Sequence, residues 1–170
     1  MNKKFADKKE NEGYNRLMQF NHFLHLQELG KTPKGWYSDA SGYTTDGRLL
    51  NIENKVRDLN LLDDGYISGH TKISAYSANT IYIESHKMGD LLTDWVTEKR
   101  TPLYINYLND GIIIVYNLSQ LKHRPLKEHK RIWSELYQSF EIADRELLRI
   151  EDAYIYKRIN DTFQLIQRPS

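Results

Sequence analysis

The sequence predicts an α/β (α+β) domain, a mixed β-sheet with helices packed on it. Three features point there: a helical period near the N-terminus, two β-prone stretches each broken by an Asp-Gly turn, and a second helical period between them. A chain of 170 residues and 20.1 kDa can bury a core without disulfide or metal staples. No linker, repeat or low-complexity tract divides it. Residues 1–170 therefore read as one domain, with 1–12 as a mobile leading segment.

The first helix is expected over residues 14–29, where Tyr14, Leu17, Met18, Phe20, Phe23 and Leu24 make a broad apolar face. Gly30 then stands where a left-handed cap would sit, and Pro33 blocks continuation. Strands follow at 36–44 and 48–57, joined by Thr45-Asp46-Gly47, with Gly supplying a positive φ. A looser region at 58–78 carries turns at Asp63-Asp64-Gly65 and Ser68-Gly69. Residues 79–86 read as a third strand. The second helix is expected over 90–100, with Leu91, Leu92, Trp95 and Val96 on one face and charges matched to its dipole. Thr101-Pro102 ends it, and a second hairpin turns at Asn109-Asp110-Gly111. Residues 132–151 fit a helix through Ile132, Leu136, Phe140, Ala143 and Leu147. The runs LLRI and AYIYKRI fit strands equally well.

Composition removes several function classes. Lys plus Arg number 24 and Asp plus Glu 23, a net charge of +1, which excludes a polycation that coats nucleic acid and an acidic mimic of it. The absence of cysteine excludes thiolate zinc sites, iron–sulfur clusters and cysteine nucleophiles. Seven charged side chains fall in the first twelve residues, with no apolar run of signal-peptide or membrane-span length. A cytoplasmic location with no membrane partner is the expectation.

Ile52-Glu53-Asn54-Lys55 is the strongest local signal for chemistry. Strand period puts Glu53 and Lys55 on one face, roughly 7 Å apart. A carboxylate there can hold a hard divalent cation, and a neighbouring lysine can orient water or neutralise phosphate charge. Such a pair also decorates solvated strand faces. The hairpin adds a test of register. With a three-residue loop Thr44 pairs with Arg48, and Asp39 lies opposite Glu53 on the same face. A two-residue loop sends Asp39 to the wrong face. Asp46 reads as a turn former.

At these residues the chain resembles the PD-(D/E)XK nuclease superfamily, most closely its small phage-type members. The resemblance rests on Ile52-Glu53-Asn54-Lys55-Val56-Arg57, on Ile83-Glu84-Ser85-His86-Lys87, and on Tyr104-Ile105-Asn106 with Asp110-Gly111, over about residues 14–118. It implies a restriction-endonuclease-like mixed central sheet flanked by helices, and a metal-dependent phosphodiesterase, an endonuclease acting on DNA. Carried over, Asp39 and Glu53 are the metal-binding acids, Lys55 the active-site lysine, and Mg²⁺ or Mn²⁺ the cofactor. Polar Asn54 stands where that pattern has an apolar residue, which leaves the burial of the strand's far face open.

Glu84 admits two assignments. It is a third metal acid, with His86 or Lys87 touching phosphate. Alternatively Glu84 with Lys87 is the acid–lysine pair, and Glu53 is the first acid. The spacing of Glu53 and Lys55 fits strand geometry better. Arg57, His86 and Lys87, with Lys122, Arg124, Lys130 and Arg131 of the basic run at 122–131, are the candidate nucleic-acid contacts. That run also fits a solvated loop. His22 and His25, three apart on the expected helix, lack a third ligand, and Glu12 and Glu28 are more remote acids. The competing function is a catalytically inactive nuclease-fold module that binds nucleic acid or a partner protein. An unrelated α+β structural protein is the reading left if residues 36–57 form no hairpin. A homo-oligomer is left open.

Overall fold

The computed structural model describes the chain apart from residues 1–2, 21–23, 34–37, 72–73 and 135–138, and apart from the side chains of 3–7, 9, 70–71, 74–77 and 132–134. Helix α1 (Lys3–Phe20) leads into β1 (Leu26–Lys31), β2 (Ala40–Thr44) and β3 (Leu49–Val56). Short strands β4 (Leu59–Leu61), β5 (Ile67–Thr71) and β6 (Ser74–Ala78) follow, then β7 (Thr80–Glu84) and helix α2 (Ser85–Glu98). The rest is β8 (Thr101–Tyr107), β9 (Ile112–Asn117), β10 (Leu126–Ser134), β11 (Ser139–Arg149), β12 (Tyr154–Ile159) and β13 (Thr162–Gln167).

A seven-stranded mixed sheet in the order β1-β2-β3-β8-β9-β12-β13 forms the centre, with β3 and β8 parallel and every other pair antiparallel. A three-stranded sheet β10-β11-β7 and another, β4-β5-β6, stand beside it. Leu17 and Phe20 of α1 pack on one side of the large sheet, against Ile52, Leu103, Ile105 and Ile113. Met88 and Leu91 of α2 pack on the other, with Tyr104, Ile114 and Tyr116. Burying each such aliphatic side chain contributes about 1.5–3 kcal/mol. The mixed α/β class is thus the observed one, with helices on both sides of a large sheet.

Several elements differ from the sequence expectation. The helix expected at 14–29 occupies Lys3–Phe20 instead, and includes most of the segment expected to be mobile. Glu10 and Asn11 bind Lys31 of β1, and Glu12 pairs with Arg16 one turn on, so polar contacts hold the helical start. Gly30, read as a cap, lies in β1 opposite Ser41. The region read as loose contains β4–β6, with Ser68 and Gly69 inside β5 and the turn at Asp63–Gly65 as expected. The third strand stops at Glu84, because Ser85, His86 and Lys87 form the first turn of α2, five residues earlier than expected. Leu126–Ser134 and Ser139–Arg149 are paired antiparallel strands, the strand alternative rather than the helix, so much of the basic run is strand β10, while Leu136 lies outside the described residues. Among the described residues, no helix is long and apolar enough to cross a membrane.

Candidate active site

The hairpin turn sets the geometry. Thr44 N–H donates to the Arg48 carbonyl at 2.9 Å and Gly47 N–H to the Thr44 carbonyl at 2.9 Å, with Gly47 at φ +82°. Thr44 Oγ1 donates to Asp46, which also takes Arg48 Nε at 3.2 Å, so Asp46 serves the turn. The pairing that follows, Ala40 with Ile52, puts Asp39 at the Glu53 level. Asp39 N–H donates to the Ile52 carbonyl at 2.9 Å and extends the pairing by one residue.

Asn54 explains how Asp39 is held. Its backbone N–H and its Nδ2 both donate to Asp39 Oδ2, at 2.8 and 3.1 Å. Asn54 is only 7% exposed, so the strand's far face is buried despite the polar residue. Gly13 of α1 makes the room, since a Cβ there would lie 2.2 Å from Asn54 Oδ1. A polar residue is tolerated here because its amide is bonded and its helix neighbour has no side chain.

Alternation along β3 sends Asn51, Glu53 and Lys55 to the α2 side. Asn51 Nδ2 donates to Asp94 of α2 at 2.6 Å. Glu53 has no exposed surface. Its Oε1 takes the Lys87 ammonium and stands 3.3 Å from Lys55 Nζ. Lys55 Nζ is also 3.8 Å from Glu84 Oε1. The buried atoms Glu53 Oε2 and Glu84 Oε2 have no hydrogen-bond partner among the described residues. Glu53, Lys55, Glu84 and Lys87 are therefore one cluster, with Asp39 beside it.

The charges respond to one another. Burial, reinforced by the Asp39 charge, pushes the Glu53 carboxyl above the usual carboxylate range in spite of Lys55 and Lys87. Burial acts the same way on Glu84, but Lys55, a backbone hydrogen bond, Lys87 and Arg57 outweigh it and hold that carboxyl low. Burial works against the Lys55 ammonium, yet Glu53, Glu84 and Asp39 hold its pKa above the ordinary lysine value. Among the described residues, no three acidic or histidine side chains converge as a ready-made metal cage. The two bare carboxylate oxygens, Glu53 Oε2 and Glu84 Oε2, are of the donor type that a hard divalent cation takes, whereas Asp39 Oδ2 is already engaged by Asn54.

The remaining sequence candidates are dispersed. Arg57 is committed internally: Nε donates to Asn106 Oδ1 at 2.6 Å, and Nη2 to the Tyr82 carbonyl at 2.7 Å and the Tyr104 hydroxyl at 2.6 Å. His86 is exposed in the first turn of α2, so it does not share a strand face with Glu84. Lys122 lines a small cavity with Asp152 and Arg168, and Arg124 is exposed just before β10. Arg131 lies over the Phe140 ring at 4.5 Å, while Lys130 lines a cavity that also contains Arg57. His22 lies outside the described residues. His25 is exposed with a left-handed backbone (φ 52°), beyond the end of α1. Glu12 sits on α1 and Glu28 is exposed on β1.

Sequence reasoning missed three contributors: Asn54 as the clamp on Asp39, and Tyr82 and Arg145 beside Arg57. For Asn54 the signal would have been a glycine inside a helix, but Gly13 falls just outside the helix expected at 14–29. For the other two there was none, because β7 meets β11 only through long-range pairing. No family model matches the chain, and neither curated proteins nor solved structures yield a match.

Proposed function

We propose that the protein is a metal-dependent phosphodiesterase that cleaves DNA on a restriction-endonuclease-like framework. The observation that carries this reading is the buried Glu53 carboxylate, with one oxygen bare, Asp39 fixed at its level and Lys55 on the same strand face. The order of parts supports it: an N-terminal helix, an acid on a hairpin, then acid-x-Lys on the next strand.

Asp39 and Glu53 would hold Mg²⁺ or Mn²⁺, with Glu84 in support. When bound, that cation supplies Lewis-acid polarisation of the phosphate and a more acidic water. Lys55, kept protonated by its carboxylates, is an ammonium donor rather than a base. It positions the attacking water and donates to the phosphoryl oxygen that gains charge. Lys87 shares Glu53 Oε1 with Lys55 and can carry its charge to the same phosphate. Buried Asn51 and Asn54 on either side keep the strand from shifting under this load. The test is Mg²⁺-dependent nicking of supercoiled plasmid by purified protein. Glu53→Ala and Lys55→Ala are each expected to lower the rate about 10²–10³-fold. Undiminished nicking by both variants overturns the assignment.

A specific observation favours the second reading. Both lysines close on Glu53 Oε1, the plug that an inactive nuclease-fold module binding nucleic acid or a partner protein would carry. Such a module retards DNA in a gel without nicking it, and its thermal stability does not respond to Mn²⁺.

A further inference from the structure

A cavity of about 510 Å³ opens next to the cluster, between the end of β3 and the β10-β11-β7 sheet. Arg57, Tyr82, Lys130 and Arg145 line it, together with the acids Asp58 and Glu128. Strand register explains the convergence. Arg145 is paired with Glu84 on one side and Glu128 on the other, so Glu84, Arg145 and Glu128 share a sheet face. Lys130 is two residues beyond Glu128 and falls on that face too, as does Tyr82, two before Glu84.

Two guanidiniums crowd one ring here. The Arg57 and Arg145 carbon centres lie 4.3 and 3.9 Å from the Tyr82 ring centroid. Each is attracted to the ring face, and together they make the cavity wall positively charged. The Arg57 donors Nε and Nη2 already serve Asn106, Tyr82 and Tyr104. Arg145 differs: its Nε is buried and has no hydrogen-bond partner among the described residues. Facing Glu128 forms no ion pair with it, and Asp58 Oδ1 is taken by Asn109 at 2.9 Å. A buried donor without an acceptor, in a roomy cationic cavity, is the mark of a missing anion.

We propose that this cavity is a phosphate subsite, in which Arg145 and Lys130 bind a phosphate group, Tyr82 and Arg57 form its fixed wall, and Glu128 limits affinity. The phosphate is either a phosphodiester of the strand lying across the candidate active site or a monoester at a chain end. The first source rests on the proposed nuclease reading; the second does not.

The experiment measures binding to the intact metal-free chain by calorimetry. Its probes are inorganic phosphate and a short DNA single strand with and without a 5′-phosphate. Reading affinity without metal or turnover separates this proposal from the cleavage reading, since an inactive chain can still pass. Arg145→Gln is expected to weaken phosphate binding about tenfold, the loss of one charge-assisted hydrogen bond. Glu128→Gln is expected to tighten it several-fold, a sign that a merely misfolded variant would not give. If the terminal phosphate alone makes binding depend on Arg145, the occupant is a chain end. Equal dependence in both strands makes it a phosphodiester. Absence of phosphate binding, or equal affinity in the parent and Arg145→Gln, overturns the proposal, as does a Glu128→Gln variant no tighter than the parent.

Discussion

Two polar groups on neighbouring stretches of β3 have met opposite fates. Arg57 at its end is enclosed by three acceptors, all within 2.7 Å. Glu53, four residues earlier and more deeply buried, keeps one oxygen with no partner and shares the other between two lysines. A fold that satisfies Arg57 so completely has the means to satisfy Glu53 and does not. Buried polarity at Arg57 is met within the fold, whereas at Glu53 one oxygen is left without a partner among the described residues, the contrast on which the proposed role of Glu53 rests.

The contrast has measurable consequences. Arg57→Met strands the acceptors of Asn106, Tyr82 and Tyr104, and is expected to cost about 3 kcal/mol in urea unfolding. A loss well below 1 kcal/mol would erase the difference between the two groups. Asn51→Ala deletes the buried bond to Asp94 at the other end of the strand, with an expected cost of about 1–2 kcal/mol. Gly13→Ala drives a methyl into Asn54 Oδ1, an overpacking cost of about 1–3 kcal/mol partly offset by the roughly 1 kcal/mol helix preference of alanine. Its sharper effect is on the Asn54 clamp of Asp39, so under the proposed function nicking should fall by more than the stability change explains.

Glu53→Gln is the smallest in stability and the most telling in sign. The raised carboxyl pKa means that the folded chain holds this proton more tightly than the unfolded one. Stability is therefore lost as pH rises from the ordinary glutamate range through the raised value. The glutamine variant should lack that loss and equal or exceed the parent at neutral pH. Under the proposed metal role, the parent should gain melting temperature with Mg²⁺ and the glutamine variant should not. Parallel pH curves for the two proteins would place Glu53 in the same structural role as Arg57.

How much of this was readable in sequence follows the range of the forces involved. The register that brings Asp39 level with Glu53 came from Thr45-Asp46-Gly47, a local matter of backbone angles. The second hairpin, turning at Asn109–Gly111, was legible for the same reason, with Asp110 and Gly111 at positive φ. The first helix was misplaced because residues 24–29 carry apolar spacing suited to either period, and their pairing with β2 is decided at a distance. Residues 132–151 stayed open between helix and strand for a similar reason, and the strand alternative is the one observed. Ile132, Leu136, Phe140, Ala143 and Leu147 have helical spacing, but β11 is committed by its ladder to β7, more than fifty residues earlier. Lys87 was named as a phosphate contact, yet its bond to Glu53 depends on where α2 begins, and no local residue announced that.

The parallel pairing of β3 with β8 also governs time. Everything from β4 to α2 lies between the two strands, so the pair closes only after a long loop has been ordered. Contacts of that separation form late and slowly. The hairpin carrying Asp39 and Glu53 can assemble early, but Glu53 is sealed from water only when Tyr104 arrives beside it. A refolding chain is thus expected to form the hairpin before it buries the Glu53 carboxylate, an order that pulse-labelled hydrogen exchange would read.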